Sequence, residues 1–372
     1  MPLLDLIAGA RPNFIKVAPI IHAFHRRFGD PRIHGNRSVP LRYRLIHTGQ
    51  HYDRAMSEAF FEQLDIPEPH INLAAGGGSQ AEQTGTIMTR YEELLALEPS
   101  ELCLVVGDVT STLACAIVAR KARIPVAHVE GGIRSGDWSM PEEINRIVTD
   151  SISNWFFTTS ETANANLRRT GVTDDRIFFV GNTMIDTLLA NLTRLRPPSI
   201  WTTAGLSKGG YFVLTLHRPA NVDNSATLGA VLDVIRRGTR MFPIIFPVHP
   251  RTRKVLETLY SRTDALTLIE PLGYLEFNYL VKHARAVITD SGGITEEATV
   301  LGVPCLTLRE NTERPETVTH GTSELIGADP AKLMPALDRL FADQWKRGVI
   351  PEKWDGHSSD RIVATLEKLL LT

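Results

Sequence analysis

"ITDSGGITEEATVLGVPCLTLRENTERPE" (residues 288–316) carries an apolar run that ends in Asp290-Ser291-Gly292-Gly293 and opens a helical stretch bearing Glu296 and Glu297. A second apolar run follows, and then Arg309 and Arg314. Strand, glycine turn, helix and strand in that order are the pattern of a parallel sheet covered by helices. Two adjacent glycines let the backbone approach a ligand closely, and the N–H groups of a helix start favour an anion. A plain strand-to-helix turn with Ser291 as N-cap uses the same residues. Glu297, placed by this reading in the first helical turn, could accept hydrogen bonds from ribose hydroxyls, or simply sit where the helix dipole favours a carboxylate.

Outward from this stretch the same alternation covers the chain. Residues 3–8, 43–49, 102–108, 125–132, 155–160 and 177–182 read as strands, and 13–28, 79–97, 111–122 and 141–153 read as helices between them. A second series of strands lies at 211–218, 243–250, 266–271, 286–293 and 304–310. At 372 residues the chain exceeds one ordinary core, so two domains of about 150 to 200 residues are expected. Two doubly wound, Rossmann-like α/β domains in tandem account for both series: 1–195, then 205–356 with the nucleotide site, then a C-terminal helix over 357–372 that could pack back on the first domain. The linker falls in "LTRLRPPSIWTTAGLSKGG" (192–210), where Pro197 and Pro198 interrupt a helix. Segment 29–42 lacks periodicity and reads as an exposed loop.

Composition excludes several classes. With 43% hydrophobic and 22% charged residues this is an ordinary globular protein. A net charge of −2 gives no electrostatic reason to expect nucleic acid or an anionic membrane. No run approaches the roughly 20 apolar residues of a membrane span, and the N-terminus shows no basic leader. Cys103, Cys115 and Cys305 lie in apolar runs without metal or redox spacing, which suits a reducing cytosol. No metal-ligand spacing appears, and neither the dinucleotide fingerprint nor the Walker A pattern is present, so no cofactor is expected.

In open parallel sheets ligands bind beyond the carboxyl ends of the strands. The residues there are Gly9, Arg11 and Lys16, then Gly107 and Asp108, then Glu130, then His217 with Arg218, then His249, then Asp290 to Gly293. Arg11 offers a fork and Lys16 a point charge to a phosphate, although either could be a solvated helix cation. "MPEEINR" (140–146) puts Pro141 at a helix start and Glu142 in its first turn. Asp108, Glu130 and Glu142 supply acid/base capacity. Phosphate binders, ribose-reading carboxylates and acid/base groups together suit a nucleotide-sugar enzyme with its site in an interdomain cleft. Spacing alone does not name the reaction.

The motifs "GARPNFIK", "HTGQHYD", "GDVTSTLA", "HVEGGIRSGDWSMPEEINR", "GNTMIDTL", "LHRPANVDN", "PVHPRT" and "TDSGGITEEATVLGVPCLTLRENTERPETVTHGT" run in order from residue 7 to about 327. Together they resemble the non-hydrolysing UDP-N-acetylglucosamine 2-epimerases. The resemblance implies a GT-B-like pair of Rossmann-like domains, a homodimer, a UDP-sugar substrate and no nicotinamide. It also implies proton removal at C2 with loss of UDP, an enzyme-bound 2-acetamidoglucal, re-protonation at C2 from the other face and return of UDP to give UDP-N-acetylmannosamine. Carried over by motif, Arg11, His217, Ser291 and Gly292 would hold the diphosphate, with Gly293 adjoining. Glu297 would hold the ribose and Phe277 would lie near the uracil. Lys16, Asp108, Glu130, Glu142 and Arg314 would surround the sugar and its departing phosphate. Asp108, Glu130, Glu142 and His217 are the catalytic candidates.

Three departures stand out. Tyr52 and Asp53 follow Gln50 and His51 where many members have a second Gln, and "AAGGGSQAEQTG" offers no Arg. Both argue against activation by a second substrate molecule. Ala220 replaces a Glu of the family's HRxEN stretch, and Leu272 a polar residue near the base. Rival readings are a 2-epimerase of a UDP-2,3-diacetamido uronic acid, a hydrolysing epimerase, a GT-B glycosyltransferase and a non-catalytic nucleotide-sugar sensor. "GNTMIDTL" and "NTERPE" fit the N-acetylglucosamine enzymes better than the uronic acid enzymes. The acid/base trio disfavours a transferase, and competent residues at every candidate position disfavour a sensor.

Overall fold

The computed structural model describes residues 2–29, 40–49, 61–222, 225–248, 266–327 and 329–371, together with 253 and 256. The expected loop over 29–42, His249 and the segment Gln50 to Asp53 lie largely or wholly outside these residues, as do the side chains of Arg11 and Ala220. The chain divides into two compact units, Met1–Ala190 with Glu352–Thr372, and Asn191–Pro351.

The first unit is built on seven parallel strands: β1 (Leu3–Ala8), β2 (Arg42–His47), β3 (Ile71–Asn72), β4 (Leu102–Val106), β5 (Val126–Val129), β6 (Trp155–Thr158) and β7 (Ile177–Phe179). Their order across the sheet is β3-β2-β1-β4-β5-β6-β7. Every residue of β1, β4 and β5 is buried, because helices cover both faces and a strand so placed is a nearly continuous apolar run rather than an alternating one. The core here joins β1, β2, β4 and β5 to the helices Gln80–Leu97 and Thr110–Lys121, with Ile87, Tyr91, Ala114 and Cys115 all buried. The second unit repeats the plan with β8 (Phe212–Thr215), β9 (Ile244–Pro247), β10 (Leu266–Ile269), β11 (Ala286–Thr289), β12 (Cys305–Thr307) and β13 (Ser323–Leu325), ordered β10-β9-β8-β11-β12-β13. In both sheets chain order reverses at one gap: between β1 and β4, and between β8 and β11. Such a switch point is where the loops part and a ligand enters an open α/β sheet.

Apart from β1, which matches its run, the strands are shorter than the apolar runs that announce them, since each polar end leaves the ladder to start a turn. The two strands without an announcement, β3 and β13, have two and three residues and are too short to show any period. Pro19 sits inside the helix Arg11–Phe28 and removes the N–H that the Ile15 carbonyl would have accepted. That carbonyl instead accepts from Thr187 Oγ1 at 2.5 Å, so the helix runs through.

The end of the chain returns to the first unit. Gly181, at φ +99°, lies so close to the backbone of Lys353 that a Cβ would come within 2.0 Å of its carbonyl oxygen. Trp354 is buried and donates to the Thr159 carbonyl at 3.1 Å. Asp186 accepts from the N–H groups of Ser358 (3.1 Å) and Ser359 (2.6 Å), capping the final helix Ser358–Leu371. That helix meets Arg11–Phe28 through Arg26 and Asp360 at 2.6 Å, and through Arg27 and Glu367.

A carboxylate stands in the middle of β1. Asp5 is fully buried, and its two oxygens take Arg44 Nε (2.7 Å) and Nη2 (3.0 Å), with Tyr91 Oη at 2.9 Å. Removing one partner of such a pair leaves an uncompensated buried charge. Arg44→Leu should therefore destabilise the protein by about 3–5 kcal/mol, measured by urea unfolding. A loss under about 1 kcal/mol, the range of exposed pairs, would show that Asp5 does not depend on Arg44.

Candidate active site

In the first unit the site begins where β1 turns into the helix Arg11–Phe28. Asn13 Oδ1 accepts from the N–H groups of Gly9 (3.2 Å) and Ala10 (3.0 Å), and its Nδ2 donates to the Val106 carbonyl (2.9 Å). This ties the β1 turn to the end of β4. Arg11 opens the helix, and Lys16 lies just over one turn further along it. Lys16 Nζ meets Glu130 Oε2 at 2.8 Å, with both side chains nearly inaccessible. Gly107 makes room for this pair: a Cβ there would stand 3.3 Å from Lys16 Nζ and 3.6 Å from Asn13 Nδ2. Its φ of +70° also favours glycine.

Glu130 has the same left-handed backbone, φ +70°, without glycine's freedom. Such a conformation costs of order 1–3 kcal/mol and needs the surroundings to hold it. Here its N–H donates to the Phe157 carbonyl at 2.9 Å while its carboxylate is fixed by Lys16. Asp108, one residue past Gly107, meets Arg146 Nη2 at 2.5 Å and Nε at 3.0 Å. Arg146 in turn holds Glu143 (2.7 Å), whose carboxylate also accepts from Ser135 and Gly136. Burial pushes Glu143 up, but these donors prevail and hold it below its ordinary value. Glu142, in the first turn of Pro141–Ile152, is half-buried and has no polar partner among the described residues.

Two residues outside the candidate set hold this edge together. His128 is wholly buried in β5, with Nδ1 2.7 Å from Asp150 and Nε2 2.8 Å from the Gly107 carbonyl. Asp150 also accepts from Gly132 N–H (3.0 Å) and Arg134 (2.6 Å). Burial raises the Asp150 carboxyl, yet His128 and Arg134 bring it below the usual range. A histidine inside the apolar run "PVAHV" is the sequence signal for this network.

In the second unit, β8 and β11 pair in register from Phe212 with Ala286 to Thr215 with Thr289. That register sets His217 beside Asp290. Asp290 is inaccessible and accepts from His217 Nδ1 (2.7 Å), the backbone N–H of Arg218 (2.9 Å) and Asn221 Nδ2 (3.0 Å). Burial opposes its charge, but these contacts hold its pKa below the ordinary value. His217 Nδ1 faces Asp290, and the other nitrogen of the exposed ring faces outward.

Ser291 is the N-cap of the helix Gly292–Leu301, but its side chain makes no capping bond; Gly292 and Gly293 form the first turn. Arg314 is buried, with Nε 2.5 Å from the inaccessible Glu296. Phe277, in the first turn of Tyr274–His283, packs with Leu272 against the core. Glu297 falls in the second turn, not the first, so the helix dipole does not account for it. Burial instead pushes its carboxyl up to about 7, despite Tyr274 and Asn278, the latter at 3.2 Å. A carboxyl so placed ionises readily once hydroxyl donors reach it.

Sequence reading brought Lys16, Asp108 and Glu130 to one sheet edge, and His217 and Ser291 to Gly293 to the other. Among the described residues no group of three or more His, Cys, Asp or Glu is placed to hold a metal ion, and no helix is long and apolar enough to cross a membrane.

Two Rossmann-type sheets in tandem, each bearing glycines, cations and carboxylates at its switch point, define an α/β protein of the GT-B-like class. The family model described as UDP-N-acetylglucosamine 2-epimerase matches residues 35–367. The chain is 41% identical to the UDP-N-acetylglucosamine 2-epimerase of Methanocaldococcus jannaschii, with 98% of each covered. It is 39% identical to the UDP-2,3-diacetamido-2,3-dideoxy-D-glucuronate 2-epimerase of Pseudomonas aeruginosa, covering 88% of this chain and 89% of that one. A crystal structure of the M. jannaschii enzyme in complex with UDP-GlcNAc and UDP superposes with a TM-score of 0.85 at 40% identity, covering 98% of this chain and 99% of that one. The chain belongs to the UDP-N-acetylglucosamine 2-epimerase family.

The pKa of Glu297 gives a pH signature. Its folded value of about 7 lies above the ordinary 4.5, so between those values the folded protein binds more protons than the unfolded chain. Stability is then lost as pH rises through this window, by roughly 3 kcal/mol in all. Glu297→Gln, which mimics the neutral acid, should raise the unfolding midpoint at pH 8 and change it little at pH 4.5. Equal midpoint shifts at the two pH values would mean that Glu297 does not titrate in this window.

Proposed function

We propose that the chain catalyses reversible C2 epimerisation of UDP-N-acetylglucosamine to UDP-N-acetylmannosamine, as a cytosolic homodimer without a cofactor. The observation that carries this reading is the gathering of Lys16, Asp108 and Glu130 at one sheet edge, with Glu142 on the helix whose Arg146 holds Asp108, in a chain 41% identical to a named epimerase of this substrate. Three buried cysteine thiols suit a reducing compartment, and the family resemblance supplies the dimer.

On this reading the second unit grips UDP. The Ser291 hydroxyl and the N–H groups of Gly292 and Gly293 take the diphosphate, the family motif adds Arg11, and His217 donates from its outward nitrogen as the imidazolium. Asp290 fixes the His217 ring, so a donor is presented without reorganisation. Glu297 takes the ribose hydroxyls, Phe277 lies beside the uracil, and Arg314 answers the charge that grows on the leaving phosphate. The first unit carries out the proton transfers. A carboxylate removes the C2 proton as the C1–O bond to UDP breaks, giving 2-acetamidoglucal. A second group returns a proton to the opposite face while UDP adds back to C1. Two faces need two groups, and the chain offers three carboxylates. Asp108 and Glu130 are each held by a cation, whereas Glu142 can exchange a proton without breaking an ion pair.

Epimerisation of a UDP-2,3-diacetamido uronic acid is the second reading, favoured by the 39% identity to such an enzyme. Incubation with UDP-N-acetylglucosamine in D₂O, followed by proton NMR, should show UDP-N-acetylmannosamine with deuterium at C2 of both sugars. An unchanged spectrum, with turnover of the uronic acid, would replace the first reading by the second. Free UDP with free N-acetylmannosamine would indicate hydrolysis. Glu142→Gln should lower kcat by about 10²–10⁴-fold while UDP affinity by calorimetry stays within twofold. Retention of full kcat would remove Glu142 from the mechanism.

A further inference from the structure

We propose that Arg309 is a diphosphate-binding cation and that Glu313 is an internal stand-in for the diphosphate, displaced when it binds. This rests on the UDP-sugar reading above. Arg309 lies two residues beyond β12 and is 6% exposed. Its Nη2 meets Glu313 Oε2 at 2.6 Å and Asn311 Oδ1 at 3.2 Å. Nε and Nη1 are buried and have no hydrogen-bond partner among the described residues.

The location gives those two groups a purpose. A Cβ on Gly292 would stand 2.6 Å from Glu313 Oε1 and 3.7 Å from Arg309 Nη1. Carboxylate and guanidinium therefore both lie against the first residue of the helix Gly292–Leu301, whose opening N–H groups lack intrahelical acceptors. Arg218 Nη2 stands 4.0 Å from the same Glu313 oxygen. A carboxylate between guanidinium groups at a helix start has the anatomy of an anion site filled by a side chain.

A purely structural ion pair in the same molecule looks different. Arg44 spends Nε and Nη2 on both oxygens of Asp5 and Nη1 on Glu98. Arg309 spends Nη2 alone. Leaving buried guanidinium N–H groups unpaired is costly, and a diphosphate has enough oxygens to meet Nε and Nη1 together with the helix N–H groups. Glu313 would then move off Gly292, since two anions cannot share the seat.

Calorimetric titration of the full chain with UDP and with uridine, which lacks phosphate, tests this. Arg309→Gln should weaken UDP binding by about 10- to 100-fold and leave uridine unchanged. Glu313→Gln keeps Arg309 in place and should tighten UDP by about 3- to 10-fold, again without effect on uridine. It decides the matter even where Arg309→Gln fails to fold. If Glu313→Gln leaves UDP affinity unchanged or weakens it, the stand-in role is overturned. If a folded Arg309→Gln binds UDP as wild type does, or loses uridine equally, the cation role is overturned. Absence of UDP binding by wild type would instead overturn the UDP-sugar reading and this inference with it.

Discussion

A strand covered by helices on both faces has no water to solvate a polar side chain, and this constraint shapes both halves of the molecule. It makes β1, β4, β5 and β11 apolar throughout apart from side chains with internal partners, such as Asp5 and His128. Polar chemistry is thereby displaced to the strand ends, where the backbone turns and helices begin. The same geometry concentrates Lys16, Asp108 and Glu130 at one switch point, and His217, Asp290 and Ser291 at the other. Fold and site are consequences of one solvation rule.

At each edge the exposed or reactive group is held by a buried partner that never needs to meet a ligand. Asp290 orients His217, Arg146 and Glu143 frame Asp108, and His128 with Asp150 fixes the Gly107 turn. These partners cost desolvation and return it as rigidity, because each buried carboxylate collects several donors. Glu130 shows the other side of that arrangement. Its left-handed backbone is tolerated because the Phe157 carbonyl and Lys16 leave it no alternative. Preorganisation of this kind is what proton transfer at an unactivated carbon demands.

The second unit adds a theme of charges kept in reserve. Glu297 is buried at a value near neutrality, and Arg309 has donors that Glu313 does not use. On the proposed reading, a hydroxylated, anionic ligand supplies to both what the protein withholds. An enzyme that must hold UDP tightly while its bond to the sugar is broken gains from such an arrangement, since the grip strengthens as negative charge develops.

The sequence by itself determined the architecture and most of the edge residues. Buried parallel strands must be apolar runs, and the first polar residues after them must lie at the ligand edge, so Lys16, Asp108, Glu130, His217 and Ser291 could be read in order along the chain. Ordered motifs over nearly the whole length determined the family. Only the tertiary structure decided which charges meet. The pairing of Lys16 with Glu130 spans 114 residues and that of His217 with Asp290 spans 73, and no local pattern encodes either. Helical phase placed Glu297 one turn deeper than its spacing suggested and so turned a dipole-favoured carboxylate into a buried acid. Strands β3 and β13, and the return of the C-terminal helix to the first unit, were likewise set by packing. They depend on surfaces that exist only once the distant segments have come together.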